Sequence, residues 1–302
     1  MLWLILCLIA AAIWSFSAFI DNYQTDVIFK GKTPQGMKVL NGPVYILIAV
    51  AVGLVAKIAF PTIPQMALLM LSGALNSIAS LAYYQALEKE EATDAAIFYQ
   101  LQPVLFLVID FLLFGDTISV KQIIGFIAIL LAPMIVIFSR KRAKSRNIAL
   151  KAAALLVLYV FIATASAEIA VRSAEKVDFK TVFVFYIFGR GCMDCILGFI
   201  PKYRKRHKYV IKHRPGAYIG TVVINQILCS AADFLYRYGL FLGVAALGSA
   251  ITNASELIMT FILGVILSLI WPNFGREKLQ RRLIIAHIIA VAFCVAGIII
   301  IQ

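Results

Sequence analysis

Stretches of about twenty mostly apolar residues, the length of helix that crosses the hydrocarbon core of a bilayer, recur ten times along this chain. They fall at roughly 2–20, 43–60, 66–87, 93–114, 122–138, 148–170, 181–200, 217–241, 248–271 and 283–301. Ten such segments leave no room in 302 residues for a sizeable soluble domain, and the longest gaps, 21–42 and 201–216, read as loops. Composition agrees: 62% of residues are hydrophobic and 14% charged, with mean hydropathy +0.93, where a soluble domain carries about 25% charged residues. An ordinary soluble fold and a disordered chain are both excluded. The first segment has no basic residues ahead of it and no small-residue cleavage site, so it is expected to stay as a helix. The expected class is an all-α, multi-pass integral membrane protein of the cell membrane.

The formal charge of +13 raises nucleic acid as a partner, but the distribution of Lys and Arg points elsewhere. Loops that follow odd-numbered spans hold 20 of them, and those that follow even-numbered spans hold 5. By the positive-inside rule the odd loops lie in the cytoplasm and both termini are extracytoplasmic. The basic balance is thus a topology signal, with attraction to anionic lipid headgroups as a second effect, and no nucleic-acid partner is expected.

Catalytic chemistry finds little support. Cys7, Cys192, Cys195, Cys229 and Cys294 all sit in apolar spans. Cys192-Met-Asp-Cys195 has metal or redox spacing but no second pair and no nearby His, so it reads as small buried hydrophobes. His207 and His213 belong to a basic loop and His287 stands alone in the last span. No G-x-x-x-x-G-K-[ST] occurs either. The chain is expected not to be an enzyme, and to need no cofactor or metal.

The sixth span begins near residue 148, which divides the chain into five helices plus five, residues 1–147 and 148–302, within one structural unit. A repeat with an odd number of spans inserts its second copy upside down, the arrangement by which many transporters build two gates around one midplane site. A shift of 153 positions lays Ala82–Leu87 on Leu235–Leu240, Gln100 on Asn253, Pro103 on Glu256 and Leu112-Leu113 on Val265-Ile266. The expected fold is therefore ten transmembrane helices as two inverted five-helix repeats.

Several motifs resemble the EamA-type repeat of the drug/metabolite transporter superfamily. They are Ala12-Ile13-Trp14-Ser15, Tyr84-Gln85-Ala86-Leu87, Leu101-Gln102-Pro103-Val104 through Phe114-Gly115-Asp116-Thr117-Ile118, and the run Ile124-Gly125-Phe126 to Val136. The second half departs from the pattern at Glu256, where the repeat has proline, and at Pro272-Asn273-Phe274-Gly275, where an acidic loop is usual. The resemblance implies a central cavity lined by spans one, three, four, six, eight and nine. It does not specify a substrate, since the superfamily moves sugars, amino acids, nucleotide sugars, choline and drugs.

Helical spacing gives an independent view. Asn76, Ser80 and Tyr83/Tyr84 share one face of span three, and Asn225, Cys229, Asp233 and Tyr236/Arg237 share one face of span eight. A lipid-facing stripe would be apolar, so these faces meet protein or water; interhelical hydrogen bonding without a substrate would account for the small polar residues equally well. Five acids lie within spans: Asp110, Glu168, Asp194, Asp233 and Glu256. A charge at the bilayer centre costs about 2.5–3.5 kcal/mol even on the mild insertion scale. Three acids have a base four positions away, Glu168 with Arg172, Asp194 with Arg190 and Asp233 with Arg237, and Arg190–Asp194 is read as structural. Asp110 and Glu256 have no such partner, and Arg237 could reach Glu256 instead of Asp233. Trp14 and the tyrosines suit an ammonium group through cation–π attraction, or simply fill the interface between the repeats.

The expected substrate site comprises Trp14, Asn76, Tyr83, Tyr84, Gln100, Glu168, Asp233, Tyr236, Arg237, Asn253 and Glu256, with Pro103 as a gating position. Gly216/Gly220 and Gly239/Gly243 have spacing for close helix packing. The expected function is secondary transport of a small organic metabolite, cationic or zwitterionic and amino-acid- or amine-like, by alternating access. A proton or other ion is the candidate coupling partner, with membrane lipids around a monomer or homodimer. A flippase or scramblase of a lipid-linked headgroup is the alternative, and a non-transporting scaffold would have no reason to keep unpaired acids.

Overall fold

The computed structural model of the chain describes residues 2–88, 92–114, 119–139, 143–174, 177–243, 245–270 and 281–301. The described residues are almost wholly helical: α1 (Leu2–Tyr23), α2 (Lys38–Ala56), α3 (Ile63–Leu87), α4 (Ala92–Tyr99), α5 (Leu101–Phe114), α6 (Val120–Ser139), α7 (Ala143–Ala174), α8 (Phe179–Gly198), α9 (Pro201–His213), α10 (Pro215–Leu242), α11 (Ala245–Ile270) and α12 (Arg281–Ile301). Local chemistry sets several starts. Thr62 and Gln65 form a capping box at α3, and the Asp178 carboxylate accepts from the Lys180 and Thr181 amides at 3.1 and 3.2 Å at α8. Pro201 and Pro215 open α9 and α10, where a missing amide proton costs nothing.

Among the described residues, seven helical segments are long and apolar enough to cross a bilayer: Leu2–Ile28, Pro34–Ala56, Ile63–Leu87, Leu150–Ala174, Phe179–Gly198, Pro215–Leu242 and Gly248–Ile270. Their outward faces carry large apolar side chains, among them Leu54, Val55, Ile63 and Ile224, 56–85% exposed. Such a belt in water would be an aggregation surface; in lipid it is the ordinary exterior. The protein is thus an integral, multi-pass membrane protein.

Three differences from the sequence-based expectation follow from local chemistry. The fourth expected span is two helices, α4 and α5, that meet at Gln100. Pro103 has no amide proton for the Tyr99 carbonyl one turn back, and that carbonyl instead accepts from Asn253 Nδ2 at 2.8 Å. The expected loop 201–216 is mostly a helix, α9, basic along its exposed face with Val210 buried. The expected loop 21–42 is largely folded inward. α1 runs to Tyr23, a π-helical turn follows (Gln24–Ile28), Lys30, Gly31 and Thr33 turn in the left-handed region, and a 3-10 turn covers Pro34–Met37. Gln24, Thr25, Phe29 and Met37 of this segment are buried. α9 and the start of α10 hold it: Arg206 donates to the Phe29 carbonyl, Arg214 to the Val27 carbonyl at 3.0 Å, and Tyr218 stands between His207 and the Gly36 carbonyl.

The helices pack in matched pairs. α2 lies on α8 and α6 on α12, while α1 packs on α10 and α3 on α7. α3 and α8 cross closely enough that only glycine fits at the contact. A Cβ on Gly73 would overlap the Tyr186 carbonyl, and one on Gly189 would overlap the Met70 backbone. Gly239 and Gly243 pack on Cys7 and Trp3 of α1, whereas Gly216 and Gly220 face open space. The 216/220 pair therefore packs against no described residue within 4 Å.

Candidate functional site

Polar side chains converge on a cavity of about 110 Å³ among α1, α3, α4, α5, α7, α8, α10 and α11. An apolar cavity of about 150 Å³ admits a benzene-sized guest, so the space suits a small solute. Of the expected site residues, Trp14, Asn76, Tyr83, Tyr84, Asp233, Tyr236, Arg237, Asn253 and Glu256 all line it. The face read from span three and the face read from span eight look into the same space. Trp14 meets Tyr236 edge to face at 4.9 Å between ring centroids, and Tyr83, Tyr99 and Tyr159 form a mutual cluster at 5.4–6.3 Å.

Two expected residues stand elsewhere. Gln100 is buried behind the wall, where its amide donates to the Asn253 carbonyl at 2.6 Å. Glu168 is bound to Arg172 at 2.8 Å, the one i,i+4 pair among the three that forms as expected, and does not line the cavity. Pro103 is buried at the α4–α5 junction. The side chain of Asp110, and the segment Pro272–Gly275, lie outside the described residues.

The other two helical pairs are exchanged for partners on neighbouring helices. Arg190 reaches from α8 to Asp233 on α10 at 2.6 Å, and Tyr186 donates to the same carboxylate at 3.1 Å. Asp194 is taken by Lys38 at 2.7 Å. Arg237 lies over the Tyr186 ring at 3.9 Å and leans towards Ser166. Span seven thus supplies a cavity residue, Arg190, against the expectation that it stays outside. Spacing along one helix identifies possible partners, but helix packing decides which carboxylate each long Arg side chain meets.

Sequence reasoning also missed Asp21, Tyr99, Tyr159 and Lys38. Asp21 lines the cavity and accepts from Asn225 at 2.8 Å and from Tyr84 at 3.4 Å. It sits just past the first apolar stretch, so a count of intramembrane acids leaves it out, although its place on the Trp14 face was legible. Lys38 falls inside the expected loop 21–42, yet it is 1% exposed.

The cavity charges are unequal. Asp21, Asp233 and Glu256 face Arg190 and Arg237. Asp233 is neutralised by Arg190, and Asp21 is held by neutral donors. The Glu256 carboxylate accepts no hydrogen bond from the described residues, though its backbone carbonyl accepts from Ser15 at 3.2 Å. A carboxylate so placed has room for a cationic partner or a proton.

Comparison with known proteins fits this arrangement. A model of the EamA-like transporter family matches residues 1–138. No curated protein matches the chain. Among solved structures 27 chains match. One, a crystal structure of a protein described no further, is 15% identical with a TM-score of 0.63, over 99% of this chain and 94% of that one. At that identity the likeness concerns the fold alone. Over residues 1–138 the chain is therefore similar to the EamA-like transporter family, a family of membrane transporters.

Proposed function

We propose that the chain is a secondary transporter for a small organic cation or zwitterion, amine- or amino-acid-like, working by alternating access. Ten spans in two inverted halves, 1–147 and 148–302, rock around the cavity, with both termini extracytoplasmic. The matched helix pairs support this reading, since α1 on α10 and α3 on α7 are contacts between the halves that a shift of 153 residues exchanges. A proton or another ion provides the coupling.

The observation that carries the substrate class is Glu256: a carboxylate with no donor among the described residues, in a cavity that Trp14, Tyr83, Tyr99, Tyr159 and Tyr236 also line. Aromatic faces attract a desolvated ammonium by about 0.5–2 kcal/mol each, and the carboxylate adds a full charge. Arg237 is placed for a substrate carboxylate, and Pro103, which interrupts α4–α5, marks the bend that opens one gate.

Solid-supported-membrane currents from proteoliposomes test this across cationic, zwitterionic, neutral and anionic solutes at two pH values. Currents for ammonium compounds that vanish in Glu256→Gln are expected. Transport that persists unchanged in Glu256→Gln, with the same pH dependence, overturns the reading. Silence for every solute, together with headgroup flipping in lipid vesicles, would replace it with a flippase.

A further inference from the structure

Beside the cavity, and apart from Glu256, lies a second polar cluster built around the Lys38 ammonium. Its Nζ meets four oxygens: Asp194 Oδ1 at 2.7 Å, the Ser77 carbonyl at 3.2 Å, Ser77 Oγ at 3.4 Å, and Ser80 Oγ. The two hydroxyl protons are committed away from it. Ser77 Oγ donates to Asp194 Oδ1, and Ser80 Oγ donates to the Ser77 carbonyl at 2.7 Å. Every oxygen therefore turns a lone pair towards the ammonium. An ammonium has three protons to give, and here four acceptors converge on it.

That is the donor set of a hard monovalent cation: one carboxylate, one carbonyl and two hydroxyls. Lys38 and Asp194 are 1% and 0% exposed, and the second carboxylate oxygen, Asp194 Oδ2, is buried without a hydrogen-bond partner among the described residues. The Tyr84 ring closes one side, 5.9 Å from Nζ. We propose that α3 and α8 form a monovalent-cation site that the chain fills with its own tethered ion, the Lys38 ammonium. Lys38 opens α2 directly after the inward-folded segment Gln24–Met37, so the tethered ion also pins that segment beside the Ser80 wall of the cavity. The inference does not depend on the transport reading, because its readout is stability.

The test is Lys38→Ala in the purified full chain, followed by thermal unfolding in detergent against increasing sodium, methylammonium or choline chloride. Emptying the cage leaves a buried carboxylate uncompensated, so the Tm is expected to fall. It should recover with the logarithm of sodium or methylammonium concentration, as linkage requires, but not with choline, which is too large. The wild type should not distinguish the three salts, and adding Asp194→Asn to Lys38→Ala should abolish the recovery. Equal response to all three salts, or recovery that survives Asp194→Asn, overturns the proposal. Should Lys38→Ala resist isolation, folded yield after extraction in about 150 mM methylammonium or choline chloride, near physiological ionic strength, gives the same contrast. A higher yield in methylammonium supports the site, and equal yields overturn it.

Discussion

Gln100 on one side of the cavity wall is bonded to Asn253 on the other. Gln100 Nε2 donates to the Asn253 carbonyl at 2.6 Å, and Asn253 Nδ2 donates back to the Tyr99 carbonyl at 2.8 Å. They are also the two residues that a shift of 153 superposes. Under a two-fold relation, the distance between equivalent atoms is twice their distance from the axis. Equivalent residues that touch must therefore lie beside it, and an approximate two-fold through this contact is what the inverted-repeat reading requires.

Asn253→Leu should cost about 1–3 kcal/mol, because the part-buried Tyr99 carbonyl loses its donor. Pro103→Ala supplies a main-chain amide to that same carbonyl, so the loss from Asn253→Leu should be smaller in a Pro103→Ala background. Reversible unfolding of the four proteins in mixed detergent measures the difference. Strict additivity would show that the two groups do not share the carbonyl.

Arg190 and Asp233 should be strongly coupled, and Arg190 and Asp194 should not. Removing one partner of a buried ion pair costs about 3–5 kcal/mol, whereas removing both costs less than the sum. Double-mutant cycles with Arg190→Met, Asp233→Asn and Asp194→Asn would decide it. A larger coupling to Asp194 would favour the helical i,i+4 pair over the interhelical one.

Gly189→Ala should abolish or severely reduce folded yield, since the added methyl meets the Met70 backbone and α3 cannot recede without opening the cavity wall. Gly220→Ala should be tolerated, or stabilise by about 0.5–1 kcal/mol, because the methyl enters open space and the helix loses less entropy on folding. Size-exclusion profiles of the two variants provide the comparison.

Partial burial against Tyr218 holds the His207 imidazole below its usual 6.5. The unfolded chain therefore takes up the proton first, so this contribution is complete above about pH 6.5 and stability is lost as pH falls below it. Between pH 7 and pH 5, the Tm of the wild type should fall more steeply than that of His207→Gln. Parallel slopes would mean that His207 keeps its proton affinity in the folded protein.

The membrane class, the positions of the apolar helices and the polar faces of α3 and α10 were legible in the sequence. Each depends on spacing within one segment: apolar length for a span, and a 3.6-residue period for a face. The EamA-type motifs were legible too, because they are local strings of the first half. What spacing could not decide was which charge meets which. Arg190 left Asp194 for Asp233, and Lys38 left an expected loop to become the partner of Asp194. Such choices depend on helix rotation and crossing distance, set here by contacts such as Gly73 and Gly189 that lie far apart along the chain. In a low-dielectric interior a charge without a partner is costly. Spacing along the spans showed most of the buried charges, and the tertiary structure added Asp21 and Lys38 and decided the pairing, which leaves Glu256 as the carboxylate that faces the cavity with no donor among the described residues.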